Sequence, residues 1–452
     1  MGILFYNIVL TLLAPVYRVL GLVHPKVRRF IRSRKEGYRM IREYARWHAA
    51  DSDNGPIWLH GSSVGELDQA LAVLREIKVR YPKQRVIVSV FSLSVRLRNL
   101  EDADLMFYLP VDFFWNWRTL TKLLKPRAFV TMTWDVFPNL LFHLKRRGIP
   151  AYLCSAALSP KSWRMTPWAR FLQRSTYNRF SGIGAVNEAN QQMFRRLLSK
   201  RYADRVQVTG DTRYDTILFK IRNAYPGSDD RRLLDHIKSL KGPLWILAST
   251  YQSDEEQIFP GLPELLQEFP RYQFLIFPHK IDHERLREVQ KNLNLVGLSG
   301  VLFSQAVFNR RRTDPGGPVS TLTAPVKVAN ERILIVDRLG ILALAYRYSS
   351  FCYVGGGFHH RIHNTAEPAA LGRPVITGPR ISSSPIALEL AEQGSLIRCN
   401  TGREVIDQAR AFMTNDKERR KLGQLAEDYL KSHEGGASKF FDTFLISAIR
   451  QR

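Results

Sequence analysis

The sequence predicts an α/β fold with two doubly wound parallel sheets, preceded by an apolar and basic N-terminal segment. First, short apolar runs alternate with helical patterns along most of the chain. Second, the stretch 351–379, FCYVGGGFHHRIHNTAEPAALGRPVITGP, contains an apolar strand, a glycine-rich loop, a helical run and a second strand in succession. Third, a length of 452 residues is enough for two or three domains with well-filled cores.

Composition limits the partners and the compartment. The chain has 67 Lys and Arg against 41 Asp and Glu, a net charge of +26, which favours a polyanionic partner such as nucleic acid or an anionic membrane surface. The sequence contains no nucleic-acid-binding motif, so we expect the membrane surface. The three cysteines, Cys154, Cys352 and Cys399, are far apart and form no CxxC pattern, which favours a reducing compartment.

The N-terminal 48 residues predict a membrane anchor. Residues 3–23 are mostly apolar but contain Arg18, and residues 24–47 hold nine Lys and Arg against two Glu. A signal peptide would carry its charges before the apolar run, so we expect residues 1–48 to be an uncleaved anchor that lies in or dips into the bilayer, with the basic part on anionic headgroups. The positive charges place the rest of the chain in the cytoplasm. The alternative is a core helix followed by a solvated basic helix.

The first α/β domain is predicted over residues 49–222. Its short apolar runs are typical of buried parallel strands, and residues 67–77 carry apolar side chains at helical spacing. The predicted strands are 57–60, 86–90, 129–132, 151–155 and 182–186.

Glu66 is the first candidate for chemistry in this domain. It lies in the first turn of the predicted helix, beside a glycine-bearing loop at the end of a strand, where a partly desolvated carboxylate can accept a proton from a hydroxyl. The alternative is that Glu66 only complements the helix dipole. The same loop, Gly61–Gly65, fits G-x-S-x-G, so Ser63 is also a candidate nucleophile of an α/β-hydrolase. That loop follows the first strand of its domain, and no later Asp and His stand out as partners, which weakens the hydrolase hypothesis.

The second α/β domain is predicted over residues 223–452. Glycines directly after a strand, Gly355 to Gly357, would let the backbone approach a ligand, and the helix start that follows would offer N–H groups to an anion. We therefore expect a phosphate pocket at this sheet edge, the alternative being a plain strand-to-helix turn. The predicted strands are 244–248, 274–277, 333–336, 351–354 and 375–377.

The histidines near this loop raise the question of a metal. His359 and His363 have the four-residue spacing that could hold a metal on a helix, but Gly357 precedes them and no acidic third ligand is near, so we expect no metal site. Cationic or donor groups around a phosphate or a carboxylate could instead come from His359, His360, Arg361, His279, Lys280 and Arg213.

Eight segments, in their order along the chain, resemble one family. They are HGSSVGE (60–66), TWDVFPN (133–139), SAALSPKS (155–162), VTGDTRYD (208–215), LASTYQSDEE (247–256), FPHK (277–280), DRLGIL (337–342) and GGGF…IHNTAEP (355–368). With the N-terminal anchor, this order resembles the bacterial 3-deoxy-D-manno-octulosonic acid (Kdo) transferases. These are inverting glycosyltransferases of the GT-B architecture that move Kdo from CMP-Kdo onto a lipid A precursor.

The resemblance implies a role for each matching residue. Glu66 corresponds to the general base, and Asp135 and Arg213 occupy positions assigned to transition-state stabilisation. The nucleotide-contacting positions would be Pro278, His279, Lys280, Leu339, Gly340, Ile341, Gly356, Gly357, His363, Asn364, Thr365, Ala366 and Glu367.

Four residues depart from the family's pattern. Thr133 and Phe137 replace a Glu and a Trp beside Asp135, and Ala157 replaces an Arg, so the acceptor side can differ in detail. Ile341 replaces a Glu, so a nucleotide contact at this position would have to use the backbone.

The resemblance also implies the chemistry and the partners. CMP leaves as a phosphate monoester, whose charge N–H dipoles and cations can meet, so neither a cofactor nor a metal is expected. The partners would be CMP-Kdo, a lipid A precursor and the anionic cytoplasmic face of the inner membrane, in lipopolysaccharide core synthesis.

Two further alternatives come from other classes of protein. Another GT-B sugar-nucleotide enzyme, such as an epimerase, would share the fold but would not need an anchor. A non-catalytic basic surface protein would explain the charge but not the glycine-bounded loop.

Overall fold

The computed structural model describes residues 2–48, 55–158, 162–224, 228–308 and 332–450, so residues 159–161 of the SAALSPKS segment lie outside the described residues. The chain forms two compact units. The first consists of Met1–Thr216 and His433–Arg452, and the second of Ile217–Ser432.

The first unit contains a sheet of seven parallel strands in the order β3-β2-β1-β4-β5-β6-β7. Trp58 of the first strand packs in the core on one face of the sheet, while Ile57 and Leu59 pack on the other. Burial on both faces explains why these strands are continuous apolar runs in the sequence. The strands are β1 (Ile57–His60), β2 (Val86–Val90), β3 (Leu105–Tyr108), β4 (Ala128–Met132), β5 (Ala151–Ala156), β6 (Gly182–Ala185) and β7 (Val206–Val208).

Helices cover both faces of this sheet, in agreement with the predicted α/β class. They are α1 (Gly2–Val23), α2 (Pro25–Trp47), α3 (Val64–Arg80), α4 (Phe114–Leu124), α5 (Pro138–Arg146), α6 (Pro167–Tyr177), α7 (Glu188–Leu197) and α8 (Thr212–Arg222).

The second unit repeats this plan with seven parallel strands in the order β10-β11-β9-β8-β12-β13-β14. The strands are β8 (Leu244–Thr250), β9 (Gln273–Pro278), β10 (Val301–Leu302), β11 (Ile333–Ile335), β12 (Phe351–Val354), β13 (Val375–Thr377) and β14 (Leu396–Arg398). The helices are α9 (Ser228–Ser239), α10 (Gln252–Ile258), α11 (Leu262–Glu268), α12 (His283–Leu295), α13 (Phe303–Phe308), α14 (Leu342–Ala345), α15 (Ala366–Ala370), α16 (Pro385–Glu392), α17 (Gly402–Thr414) and α18 (Asp416–Ser432).

The C-terminal residues belong to the first unit, which corrects the predicted boundaries of 49–222 and 223–452. After α18 the chain forms α19 (Gly436–Phe440), a π-helical turn and α20 (Ile446–Arg450). Phe440 and Phe444 of this segment pack where Gly184 and Gly182 leave β6 without side chains. Asp215 accepts hydrogen bonds from the N–H groups of Gly435, at 2.9 Å, and Ala437, at 3.4 Å.

Helix α1 packs against α2 and α6 along one face. Its less exposed residues recur every three or four positions from one end to the other: Ile3, Tyr6, Asn7, Leu10, Ala14, Tyr17 and Gly21. The Tyr6 hydroxyl donates to Asp112 at 3.1 Å, and the Asn7 side chain accepts from Asn139 at 2.7 Å. The other face exposes large apolar side chains, and the segment Ile3–Val23 is long and apolar enough to cross a membrane.

Candidate active site

The candidate catalytic carboxylates follow two neighbouring strands of the first sheet. Glu66 lies in the first turn of α3, directly after β1, and Asp135 follows β4, which pairs with β1. The chain leaves these two strands towards opposite sides of the sheet, since β2 lies beyond β1 and β5 beyond β4. Such a switch point opens a crevice at the carboxyl ends of the strands, and ligands of doubly wound sheets bind there.

One turn of backbone holds both carboxylates. The Ser63 N–H donates to Oε2 of Glu66 at 3.0 Å, and the Ser62 N–H donates to Oδ2 of Asp135 at 2.9 Å. The bond from the Ser63 N–H is part of a capping box at the start of α3, in which the Ser63 side chain accepts from the N–H of Glu66, and the Ser63 hydroxyl also donates to the Glu66 carboxylate. Glu66 therefore lies in the first turn of its helix, where it complements the helix dipole, and also at the strand end beside the crevice.

Asp135 is held in a partly desolvated position. Its pKa is raised to about 6, mainly by burial and also by the charge of Glu66, while the Ser62 hydrogen bonds and the charge of Arg164 oppose the rise. Arg164 is a functional candidate that the sequence analysis missed, because no motif surrounds it.

His60, the last residue of β1, contacts the Ser62–Ser63 turn. It is fully buried, burial lowers the pKa of its imidazole to about 3, and its ring nitrogens lie 2.8 Å from the Ser89 hydroxyl and 3.0 Å from the Ser62 hydroxyl. The hydrolase hypothesis would need an imidazole on Ser63. Within the described part of the chain, the Ser63 hydroxyl contacts the Glu66 carboxylate instead, although β1 is an internal strand as an elbow requires.

Arg213 is positioned by a chain of polar contacts that leads back towards Asp135. Its Nε donates to Oδ2 of the buried Asp211 at 2.7 Å. The other Asp211 oxygen accepts from the Gln69 amide at 3.0 Å, and Gln69 accepts from the Thr133 hydroxyl at 2.8 Å. Thr133 is two residues before Asp135 and has a φ of 56°. Hydrogen bonds through Asp211 and Gln69 thus connect Arg213 to Thr133, in the segment that follows β4.

The second unit has a corresponding crevice between β8 and β12, and an aromatic cluster lies there. Tyr251 follows β8 and stacks on His279 with 3.8 Å between ring centroids. The rings of His359 and His363 lie 4.4 Å and 5.4 Å from the same tyrosine, and that of His360 lies 6.1 Å away. The structure thus gathers the predicted His279 and His363 around Tyr251, which the sequence analysis did not single out.

The glycine-rich loop is organised by Asp254, another residue missed from the sequence. This buried carboxylate accepts from the N–H groups of Gly356, at 2.8 Å, and Phe358, at 3.3 Å, and from the Tyr353 hydroxyl at 2.7 Å. A Cβ on Gly357 would lie 2.6 Å from the Gly378 nitrogen. Close packing within the protein therefore accounts for Gly357, and two amides of this loop bind Asp254.

The residues after the loop cap a short helix. The Asn364 side chain accepts from the Ala366 N–H at 3.0 Å and donates to Glu367 at 2.9 Å. Two buried polar atoms nearby, Nε2 of His363 and the Thr365 hydroxyl, have no hydrogen-bond partner among the residues described. They are therefore available to a ligand.

The remaining predicted nucleotide residues follow β9 and β11. Pro278 ends β9 in a buried position, and Lys280 is exposed. Leu339 is exposed, Gly340 has a φ of 89°, and the Ile341 side chain is buried in the core, which leaves only its backbone for a ligand. Over the described ranges, no group of three or more His, Cys, Asp or Glu is arranged to hold a metal ion.

Comparisons with known proteins show the same resemblance. A family profile described as 3-deoxy-D-manno-octulosonic-acid transferase (kdotransferase) matches residues 32–216. The 3-deoxy-D-manno-octulosonic acid transferase of Haemophilus influenzae is 26% identical over 404 residues, which cover 85% of this chain and 86% of that protein. The protein of the same name from Bordetella pertussis is 24% identical over 406 residues, 86% of each chain. Over most of its length, the chain is therefore similar to these Kdo transferases.

Solved structures share the fold of this chain. The UDP-GlcNAc 2-epimerase from Neisseria meningitidis has a TM-score of 0.59 at 12% identity, over 86% of this chain and 100% of that chain. MurG from Acinetobacter baumannii has a TM-score of 0.52 at 14% identity, over 87% of this chain and 99% of that chain. The predicted GT-B architecture is confirmed.

Proposed function

We propose that the protein is an inverting glycosyltransferase that moves Kdo from CMP-Kdo onto a lipid A precursor in lipopolysaccharide core synthesis. Similarity to the Kdo transferases supports the reaction class. The structural observation that carries the proposal is the Ser62–Ser63 turn, whose consecutive N–H groups hold Asp135 and Glu66 at a sheet switch point.

Glu66 is the proposed general base. The capping box engages Oε2, while Oε1 has no hydrogen-bond partner in the described part of the chain. Oε1 would accept the proton of the acceptor hydroxyl as its oxygen bonds to the anomeric carbon of Kdo, and the bond from that carbon to the CMP phosphate breaks. Inversion follows from this single displacement.

Asp135 and Arg213 are proposed to stabilise the transition state. The positive charge that develops on the Kdo ring favours an ionised carboxylate nearby, and a guanidinium favours the anionic groups that approach or leave. The contacts from Arg213 through Asp211 to Gln69 would keep the guanidinium preorganised, so little reorganisation is needed during the reaction.

The imidazoles around Tyr251 are proposed to bind the CMP phosphate. Burial lowers the pKa of His279 and of His363, so both are neutral near pH 7, when each ring still offers one N–H. A monoester phosphate can be met by such donors and by Lys280 without a divalent metal. We therefore propose that no cofactor is needed, and we expect Kdo transfer to proceed at the same rate in excess EDTA.

The test of the function is direct. The full-length protein is incubated with CMP-Kdo and a lipid A precursor, and the lipid product is analysed by mass. A mass increase of one Kdo or more supports the proposal. Release of CMP without any change in the acceptor mass would favour a hydrolytic enzyme instead.

Helix α1 is proposed to lie in the membrane interface. Its inner face contacts the first unit over its whole length, through Tyr6 near one end and Gly21 near the other, so only the outer apolar face is left for lipid. The basic residues of α2 would then meet anionic headgroups at the cytoplasmic face.

Charge on the outer face of α1 tests this arrangement. We expect L12E/V19E to release much of the protein from membranes in a sedimentation assay, while its circular dichroism spectrum is unchanged. V79E is the matched control, because Val79 is a comparably exposed apolar residue on α3. Full retention of the double variant on membranes would contradict the assignment.

A further inference from the structure

A cavity of about 760 Å³ lies between α1, α2 and the segment that follows β3. The proposed catalytic residues do not line it. The cations in its walls are Arg18, Arg28, Arg32, Arg34 and Lys35. A second cavity of about 600 Å³ shares Lys35, Tyr38, Trp115 and Asn116 with it and continues along α2.

All the charged side chains that line the first cavity are positive. Five cationic side chains line it and no carboxylate does. On the same helix Arg39, by contrast, lies 3.8 Å from both Glu36 and Glu43. Within the described ranges, no carboxylate lies at ion-pairing distance from Arg18, Arg32 or Lys35, so the cavity presents unneutralised positive charge.

Among the five cations of the cavity, Arg34 is the buried one. Its side chain is buried, with the guanidinium carbon 3.3 Å from the centre of the Phe30 ring, and it donates to the Ser33 hydroxyl at 2.8 Å and to the Phe91 carbonyl. Its buried Nε has no hydrogen-bond partner among the residues described. Burial lowers the pKa of Arg34 to about 10, so the group stays cationic at neutral pH.

Apolar and aromatic surface completes the cavity. Tyr17, Tyr38, Phe113 and Trp115 contribute rings, and Trp115 stacks flat on Phe113 with 4.7 Å between ring centroids. Helix α1, which exposes its other face to lipid in the proposed arrangement, forms one wall. Cations beside apolar walls suit a ligand that carries a phosphate next to acyl chains.

The cavity is also close to the proposed catalytic turn. Arg34 donates to the carbonyl of Phe91, and the N–H groups of Phe91 and Ser92 both donate to the Ser62 carbonyl. The Ser62 N–H in turn binds Asp135. In the strand order β3-β2-β1, the segment after β3 is two strand spacings, about 10 Å, from the loop after β1. This separation suits one amphiphile that reaches both places.

We propose that this cavity binds a phosphate group of the glycolipid acceptor, with Arg32, Arg34 and Lys35 as the main phosphate contacts and the aromatic wall against an acyl chain. The proposal rests on the proposed function, since it takes the acceptor to be a phosphorylated lipid. It assigns the cavity to the acceptor and not to bulk anionic phospholipid.

The experiment measures binding separately from turnover. The dissociation constant of the lipid A precursor in neutral detergent micelles is measured for the full-length protein, R32A/K35A and K26A/R29A. The control removes the same charge from the same helix at residues outside both cavities. Each protein is also tested with the enzymatically dephosphorylated precursor and with micelles that contain phosphatidylglycerol.

We expect R32A/K35A to weaken binding of the phosphorylated precursor by about tenfold to a hundredfold, because charge-assisted hydrogen bonds are lost. K26A/R29A should change it less than threefold, and the R32A/K35A penalty should vanish with the dephosphorylated precursor. An equal penalty for both forms of the precursor would overturn the proposal, as would phosphatidylglycerol competing as well as the precursor. Kdo transfer by the unsubstituted protein, measured in parallel, reports on the proposed function independently, because the binding assay needs no turnover.

Discussion

The two sheets place a carboxylate at the same topological position and use it differently. In each unit a helix follows the first strand and begins with a capping box whose third helical residue is acidic: Glu66 in α3 and Asp254 in α10. Glu66 is half-exposed and keeps one oxygen available. Asp254 is fully buried and receives hydrogen bonds from Tyr251, Tyr353, Gly356 and Phe358. Solvent access and the number of donors therefore distinguish the carboxylate proposed for chemistry from the one that holds the glycine-rich loop.

The largest effect is expected at Glu66. In E66Q the amide can still accept the Ser63 N–H bond, so the capping box is kept, but the side chain cannot take a proton. We expect turnover to fall about 10²–10⁴-fold with little change in melting temperature, since this is the usual contribution of one general base. Steady-state Kdo transfer and a thermal melt measure the two quantities, and CMP-Kdo binding should persist.

E76Q is the matched control for that change, because Glu76 is on the same helix and pairs with Arg80 instead of facing the crevice. Equal turnover in E66Q and E76Q would remove Glu66 from the role of base.

Asp254 should show the opposite pattern. In D254N an amide group would face several N–H and O–H donors, so buried hydrogen bonds are lost and we expect the second unit to be destabilised by about 3 kcal/mol. Chemical denaturation followed by circular dichroism measures this loss. Near-normal stability together with a thousandfold loss of turnover would instead make Asp254 chemical, and the contrast with Glu66 would be wrong.

The pH dependence of kcat/KM tests the role proposed for the carboxylates of the first unit. Because burial raises the pKa of Asp135 to about 6, the ionised form predominates only above that pH. We expect kcat/KM to fall nearly tenfold per pH unit below about pH 6 and to be level above about pH 7. In R164A the acid limb should move to higher pH, because the charge of Arg164 lowers the pKa of Asp135. If the acid limb does not move in R164A, it must be caused by the titration of a group other than Asp135.

The same shift has a smaller consequence for stability. A carboxyl group whose pKa is raised by folding favours the folded state at low pH and loses that contribution as the pH rises from about 4 to 6. D135N should therefore be more stable than the unsubstituted protein at pH 7, by about 1–2 kcal/mol after allowance for partial exposure, and the difference should close by pH 4. Urea denaturation at the two pH values measures it.

The parts of the fold that the sequence predicted well are those that burial alone determines. The bounds of β1, β2, β12 and β13 agree with their apolar runs because these strands are internal and covered on both faces. Four strands at or next to the sheet edges were missed: β3, β7, β10 and β14. Three of them, β7, β10 and β14, are only two or three residues long, which is too short for a pattern to show.

The site was predicted where it lies next to a strand end. Glu66 and Asp135 follow adjacent strands, and the parallel sheet brings them to one turn. Tyr251, Asp254 and Arg164 were missed because their partners are remote in sequence; Asp254 and Gly356, for example, are separated by about a hundred residues. Nothing local distinguishes a capping acid from one that holds a distant loop.

The return of the last residues to the first unit has a consequence for biosynthesis. The second unit is an insertion between Thr216 and His433, so a chain emerging from the ribosome offers the first sheet without the aromatic segment that covers Gly182 and Gly184. At a synthesis rate of about 5–20 residues per second, roughly 10–40 s pass before the C-terminal aromatic segment is made and can cover these glycines. During this interval the nascent first unit exposes an apolar surface that a chaperone or the membrane itself would have to shield.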